Sequence, residues 1–141
     1  MKVRDVMTPN PRTVSPDDTI QAAARVMQSE DTGAVPVVEN GRVLAMVTDR
    51  DIVVRVVAEG GSVSSPVRTI ATEGVVCAEP EMSTREASDL MSEYQIRRLP
   101  VVENDRLIGI VSIGDLAVKE GKDSRTGDTL QSISEGVKEK L

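Results

Sequence analysis

Residues 34–51 read AVPVVENGRVLAMVTDRD, and residues 98–115 read RLPVVENDRLIGIVSIGD. Each stretch is an apolar run, a polar turn, a second apolar run, and then a hydroxyl residue, two spacers and an aspartate. Sliding the chain along itself by 64 positions aligns Thr13–Ile52 with Cys77–Leu116 without a gap, and 11 of the 40 pairs are identical, five of them consecutive in PVVEN. Unrelated sequences of ordinary composition match at only about two or three such positions. The chain is therefore an internal repeat, and the repeat decides the fold.

Working outward from the paired runs, ENGR and ENDR carry hairpin-turn chemistry, so VPVV with VLAMV and LPVV with LIGIV are expected to form β-hairpins. Ahead of each hairpin, Thr19 opens a segment with Ile20, Ala23, Ala24 and Met27 at helical spacing, and STREASDLM does the same in the second repeat. These helices should end near Ser29 and Glu93. Before them, RTVSP and VCAEP read as short strands stopped by proline. After the hairpin, Thr48 or Ser112 caps a second helix, DRDIVVRVVAEG or GDLAVKEG, closed by glycine.

Each unit is thus β-α-β-β-α, with the first repeat spanning 1–60, the second 61–120, and a tail over 121–141 expected to be helical through Leu130, Ile133 and Val137. A unit of roughly 60 residues buries too little surface to stand alone, so the repeats should pack together about a pseudo-twofold axis as one α/β module. The Gly60–Pro66 stretch is the expected crossing point between them.

Composition bounds the chemistry. The 141 residues are 39% hydrophobic, enough for a core, and Tyr94 is the only aromatic side chain, so no stacking platform for single-stranded nucleic acid exists. Seventeen Lys and Arg against 23 Asp and Glu give a net charge of −6, which repels a phosphate backbone. No nucleic-acid partner is expected. Arg55 interrupts the longest apolar run, far short of the ~20 residues of a membrane span, and MKVRDVMTPN lacks a signal-peptide core, so a cytoplasmic protein with no membrane partner is expected. Histidine is absent and Cys77 is the only cysteine, which removes Ser-His and Cys-His nucleophiles, histidine bases and the commonest zinc ligand. An enzyme is not expected, nor is a metal site or a required cofactor.

The doubled signature resembles the tandem CBS domain, or Bateman module, over about residues 3–120, carried by AVPVVENGRVLAMVTDRD and RRLPVVENDRLIGIVSIGD. The resemblance is to stand-alone CBS pairs of the hypoxic response protein type. It implies that an adenine nucleotide, AMP, ADP, ATP or an adenosyl compound such as S-adenosylmethionine, sits in crevices between the repeats. The hydroxyl and carboxylate of [ST]-x-x-D would hold the ribose, which places Thr48 with Asp51 and Ser112 with Asp115 at two such sites. A carboxylate can accept from both ribose hydroxyls, while free amides at a helix start suit a phosphate. The resemblance further implies phosphate contacts from basic residues just before the LPV segment of the opposite repeat. Arg97 and Arg98 occupy that position in the second repeat and Gly33 and Ala34 in the first, so the crevice of Thr48 and Asp51 is the one expected to carry the phosphate clamp. A homodimer and an unidentified regulated partner are also implied.

Plainer readings exist for the same residues. Ser/Thr-x-x-Asp is nearly a capping box, sufficient to start a helix without any ligand. Arg97 and Arg98 are adjacent at a strand entrance, where neighbours point to opposite faces, and either can be a solvated surface residue. Cys77 reads as a small core residue rather than a nucleophile. Two functions stay open: a sensor module that binds an adenine nucleotide, and a structural or dimerisation protein whose two motifs act only as caps.

Overall fold

The computed structural model describes residues 1–119. In chain order the elements are α1 (Val3–Val6), β1 (Thr8–Pro9), α2 (Ile20–Glu30), β2 (Ala34–Glu39), β3 (Arg42–Thr48), α3 (Asp49–Ile52), β4 (Thr72–Glu73), α4 (Thr84–Tyr94), β5 (Arg98–Glu103), β6 (Arg106–Ser112) and α5 (Ile113–Lys119). They form a mixed α/β fold with two three-stranded sheets, β2-β3-β4 and β1-β6-β5. The expected tail helix over 121–141 lies outside the described residues. Among the described residues no helix is long and apolar enough to cross a membrane.

The hairpins form where the turn chemistry places them. Asn40 and Gly41 both have positive φ, 53° and 82°, as do Asn104 and Asp105, 52° and 64°. Positive φ at both central residues is the I′ geometry whose twist matches the flanking strands. Strand β2 pairs with β3 from Ala34↔Thr48 to Glu39↔Arg42, with a bulge between Val37 and Val38. Both long helices carry the expected caps: Thr19 Oγ1 accepts from the Ala22 N–H at 3.0 Å, and Ser83 Oγ from the Glu86 N–H at 3.1 Å. They end at Glu30 and Tyr94, where Asp31 and Gln95 turn left-handed.

The chain divides into two compact units, one of residues 12–75 with 105–107, the other of residues 1–11 with 76–104 and the described residues from 108 on. The leading segment of each repeat therefore belongs with the body of the other. In the second-repeat unit Val3 and Val6 are fully buried with Ala87, Met91, Leu99, Val101 and Leu116. In the first-repeat unit Val67 and Ile70 join Ile20, Ala23, Met27, Val35 and Val37.

Equivalent hydrogen bonds dock both segments. Val3 N–H donates to Met82 O at 2.8 Å and Arg4 N–H to Pro80 O at 3.0 Å, while Val67 N–H donates to Asp18 O at 2.8 Å and Arg68 N–H to Pro16 O at 3.1 Å. Arginine–acid pairs, Arg4 with Glu81 and Arg68 with Asp17, repeat the match at the surface. The end of each segment then adds a strand: β1 pairs with β6 through Thr8↔Ile110, and β4 with β3 through Met46↔Thr72.

Two expectations are corrected. RTVSP and VCAEP do not form strands; each contributes one bridging residue, Val14 beside Val37 and Ala78 beside Val101. The proline two residues later ends the pairing. The helix expected over DRDIVVRVVAEG is α-helical only through Asp49–Ile52, and Val53–Val57 widens into a π-helical turn in which Ala58 N–H reaches Val53 O at 2.9 Å. Four β-branched valines in five positions crowd an ordinary α-turn. Only Val56 of these points into the core, and Val53, Val54 and Val57 stay exposed.

Candidate functional site

Each hairpin delivers its hydroxyl residue at the end of its second strand, directly before a short helix. Thr48 is the last residue of β3 and stands opposite Ala34, the first residue of β2. Its Oγ1 accepts from the Asp51 N–H at 3.1 Å, and Asp51 Oδ2 accepts from the Thr48 N–H at 2.9 Å. The second repeat builds the same box: Ser112 Oγ accepts from the Asp115 N–H at 3.0 Å, and Asp115 Oδ2 from the Ser112 N–H at 2.9 Å. A capping box satisfies two backbone donors that a helix start leaves without partners.

One oxygen of each aspartate is thus committed to the backbone. The other takes no part in the cap, and at Asp51 it lies 3.8 Å from Arg55 Nε, whose own Nη1 donates to Ile70 O at 3.0 Å. All four box residues are partly buried, with the Asp51 side chain 14% exposed. A carboxylate in that setting can still accept hydrogen bonds from hydroxyl groups.

A further pair of backbone contacts fixes what surrounds each box. The Asp49 N–H donates to Gly33 O at 2.9 Å, and in the second repeat the Ile113 N–H donates to Arg97 O at 2.9 Å. Within the second-repeat unit, Arg97 is therefore joined by its backbone to the residue after Ser112, and Arg98 opens β5 at the same hairpin end. Arg97 is exposed and Arg98 half-buried. Thr48 and Asp51 belong to the other compact unit. Among the described residues no acidic side chain pairs with Arg97 or Arg98.

The sequence reading did not single out Asp49. A methyl group placed on Gly33 would lie 2.9 Å from Asp49 Oδ2, so the glycine makes room for that carboxylate. The signal was present in the self-alignment, which sets Gly33 against Arg97 and Asp49 against Ile113, two changes that meet in space. Cys77 is partly buried and its thiol is pushed above its ordinary pKa by desolvation, which opposes thiolate chemistry. Among the described residues no three His, Cys, Asp or Glu side chains gather as a metal site.

The doubled box at the end of a doubled hairpin is matched by the CBS domain profile over residues 3–58 and 67–119. The chain belongs to the CBS-domain family. It is similar to other CBS pairs: the CBS domain-containing protein YhcV of Bacillus subtilis is 46% identical over 132 residues, covering 94% of each chain. The crystal structure of hypoxic response protein I with two coordinated zinc ions superposes with a TM-score of 0.78 at 33% identity, over 84% of this chain and 98% of that one. The CBS pair of protein MJ0100, solved in complex with 5′-methylthioadenosine and S-adenosyl-L-methionine, gives a TM-score of 0.78 at 25% identity, over 87% of this chain and 98% of that one. Among the described residues no catalytic domain is evident beside the two CBS repeats.

Proposed function

We propose that this CBS pair is a regulatory module that binds an adenosyl compound, with the ribose hydroxyls held by the carboxylate of a capping box, Asp51 with Thr48 or Asp115 with Ser112. The observation that carries the reading is the division of labour within each aspartate. One oxygen holds the helix start and the second is not used by the cap, facing Arg55 at 3.8 Å in the case of Asp51, so cap and ribose contact can coexist. The adenosyl ligands of the MJ0100 pair support the ligand class. Arg97 and Arg98, unpaired among the described residues, supply the charge for a phosphorylated ligand. Binding regulates by favouring one of two arrangements of the molecule, and only a difference in affinity between those arrangements transmits a signal. A homodimer belongs to the same proposal, supported by the exposed Val53, Val54 and Val57.

The boxes themselves favour a second reading. Each is complete without any ligand, and a scaffold needs nothing more. Thermal unfolding with 5′-methylthioadenosine, S-adenosylmethionine, AMP and ATP separates the two. A ligand at a hundred times its dissociation constant adds about 2.7 kcal/mol, a rise of several degrees for a domain of this size. Asp51→Asn and Asp115→Asn retain an oxygen for the cap but lose the charge, so a sensor loses ligand-dependent stabilisation in at least one of them. No rise with any of the four compounds leaves the scaffold.

A further inference from the structure

The two boxes share one backbone and differ in charge around one equivalent backbone contact. Gly33 O and Arg97 O accept from the first amide of the following helix at the same distance, 2.9 Å in each repeat. In the second repeat a cationic side chain starts from that position, and the residue facing it, Ile113, is apolar and buried. In the first repeat the position has no side chain, and the Asp49 carboxylate fills the space beside it, its Oδ1 accepting from the Arg50 N–H at 2.8 Å. The first repeat thus lacks the cation at residue 33 and carries an anion at residue 49, two residues from Asp51, where the second repeat has Ile113.

We infer that Asp49 is a specificity-determining residue that makes the Thr48–Asp51 box select adenosyl compounds without a phosphate, leaving phosphorylated adenine nucleotides to the Ser112–Asp115 box beside Arg97. The inference rests on the ribose-binding reading above, and it assigns Arg97 to the box of its own repeat, where its carbonyl accepts from the Ile113 N–H, in place of the opposite-repeat pairing with Thr48 and Asp51 that the resemblance implies. A ribose held at Asp51 brings its 5′ substituent within ionic reach of residue 49. At residue 49 a phosphate meets a like charge, whereas a neutral thioether or a sulfonium does not; the cation beside this box, Arg55, is already held by Asp51 and by Ile70 O. A unit charge about 5 Å away in a water-like medium changes affinity by roughly fivefold, and by more where the site is partly desolvated.

The test is calorimetric titration of the full chain with 5′-methylthioadenosine and, separately, AMP. The thioether compound should weaken at least tenfold in Asp51→Asn and be indifferent to Asp115→Asn, and AMP should show the reverse. In the Asp115→Asn background, Asp49→Asn should raise AMP affinity about fivefold. Adding Gly33→Arg with Asp49→Ser should raise it further, since removing the carboxylate opens the space that an arginine needs. Asp49 is exposed, so Asp49→Asn keeps the fold, and Asp49→Ser serves as a second charge-removing variant. AMP binding that depends on Asp51, or that ignores the charge at residue 49, overturns the inference while the ribose reading stands. Binding that ignores both Asp51 and Asp115, or no binding at all, overturns both.

Discussion

On the middle strand of its sheet the first-repeat unit has Ala45, and on the incoming segment Ala71; the second-repeat unit has Gly109 and Met7 at the same places. A methyl group on Gly109 would lie 2.5 Å from Met7 Sδ and 3.0 Å from Thr8 O, so the long thioether occupies the volume that a side chain on the strand would need. Deeper in the cores the exchange recurs, Val14 and Val35 in one unit against Ala78 and Leu99 in the other. The repeated backbone tolerates different side chains because gains and losses of volume are compensated inside each unit, as close packing demands. The lesson is that equivalent positions are interchangeable only as sets.

The largest effect that can break this comparison is a cavity. Leu99→Ala should cost about 3 kcal/mol and Val35→Ala about 2 kcal/mol, because the leucine, 0% exposed, leaves the larger void. Urea titration reads the difference, and equal losses would mean that the two cores are packed alike. Gly109→Ala should cost about 2 kcal/mol by overpacking against Met7 and Thr8, whereas the reverse exchange, Ala45→Gly, should cost about 1 kcal/mol. Adding Met7→Ala to Gly109→Ala recreates the alanine pair of the other unit and should recover most of the loss. A double variant no better than the sum of its parts would contradict the exchange of volume.

The smallest effect lies at the surface. Glu81 is held below the usual carboxylate range by the hydrogen bond from Lys2, helped by Arg4. A depressed carboxyl contributes stability above its ordinary pKa and loses it as pH falls through its value in the folded state. Glu81→Gln should therefore lower the melting temperature slightly, by about a degree or less, at neutral pH and not at all in acid.

The parts legible in the sequence are those whose causes are local. ENGR and ENDR dictate their own turns, Thr19 and Ser83 cap the helix three residues ahead, and each box closes within four residues. The destination of Val3, Val6, Val67 and Ile70 was not legible, because a short apolar segment does not encode which repeat it will enter. The outer strands of RTVSP and VCAEP failed for a related reason: one bridging residue and a proline leave no alternation to read. The candidate aspartates could be named from the doubled motif. Asp49 could not, because its meaning depends on a missing side chain at Gly33, sixteen positions earlier and adjacent only in space.

The traded leading segments also bear on how such a chain can arise and be lost. Removing either repeat strands one pair of buried valines or isoleucine and opens the core that the departed segment had closed. The duplication therefore cannot be undone one copy at a time. A solitary ancestor with the same segment could close its core only on a second copy of itself, at the mercy of its concentration. In one chain that closure is intramolecular and independent of abundance.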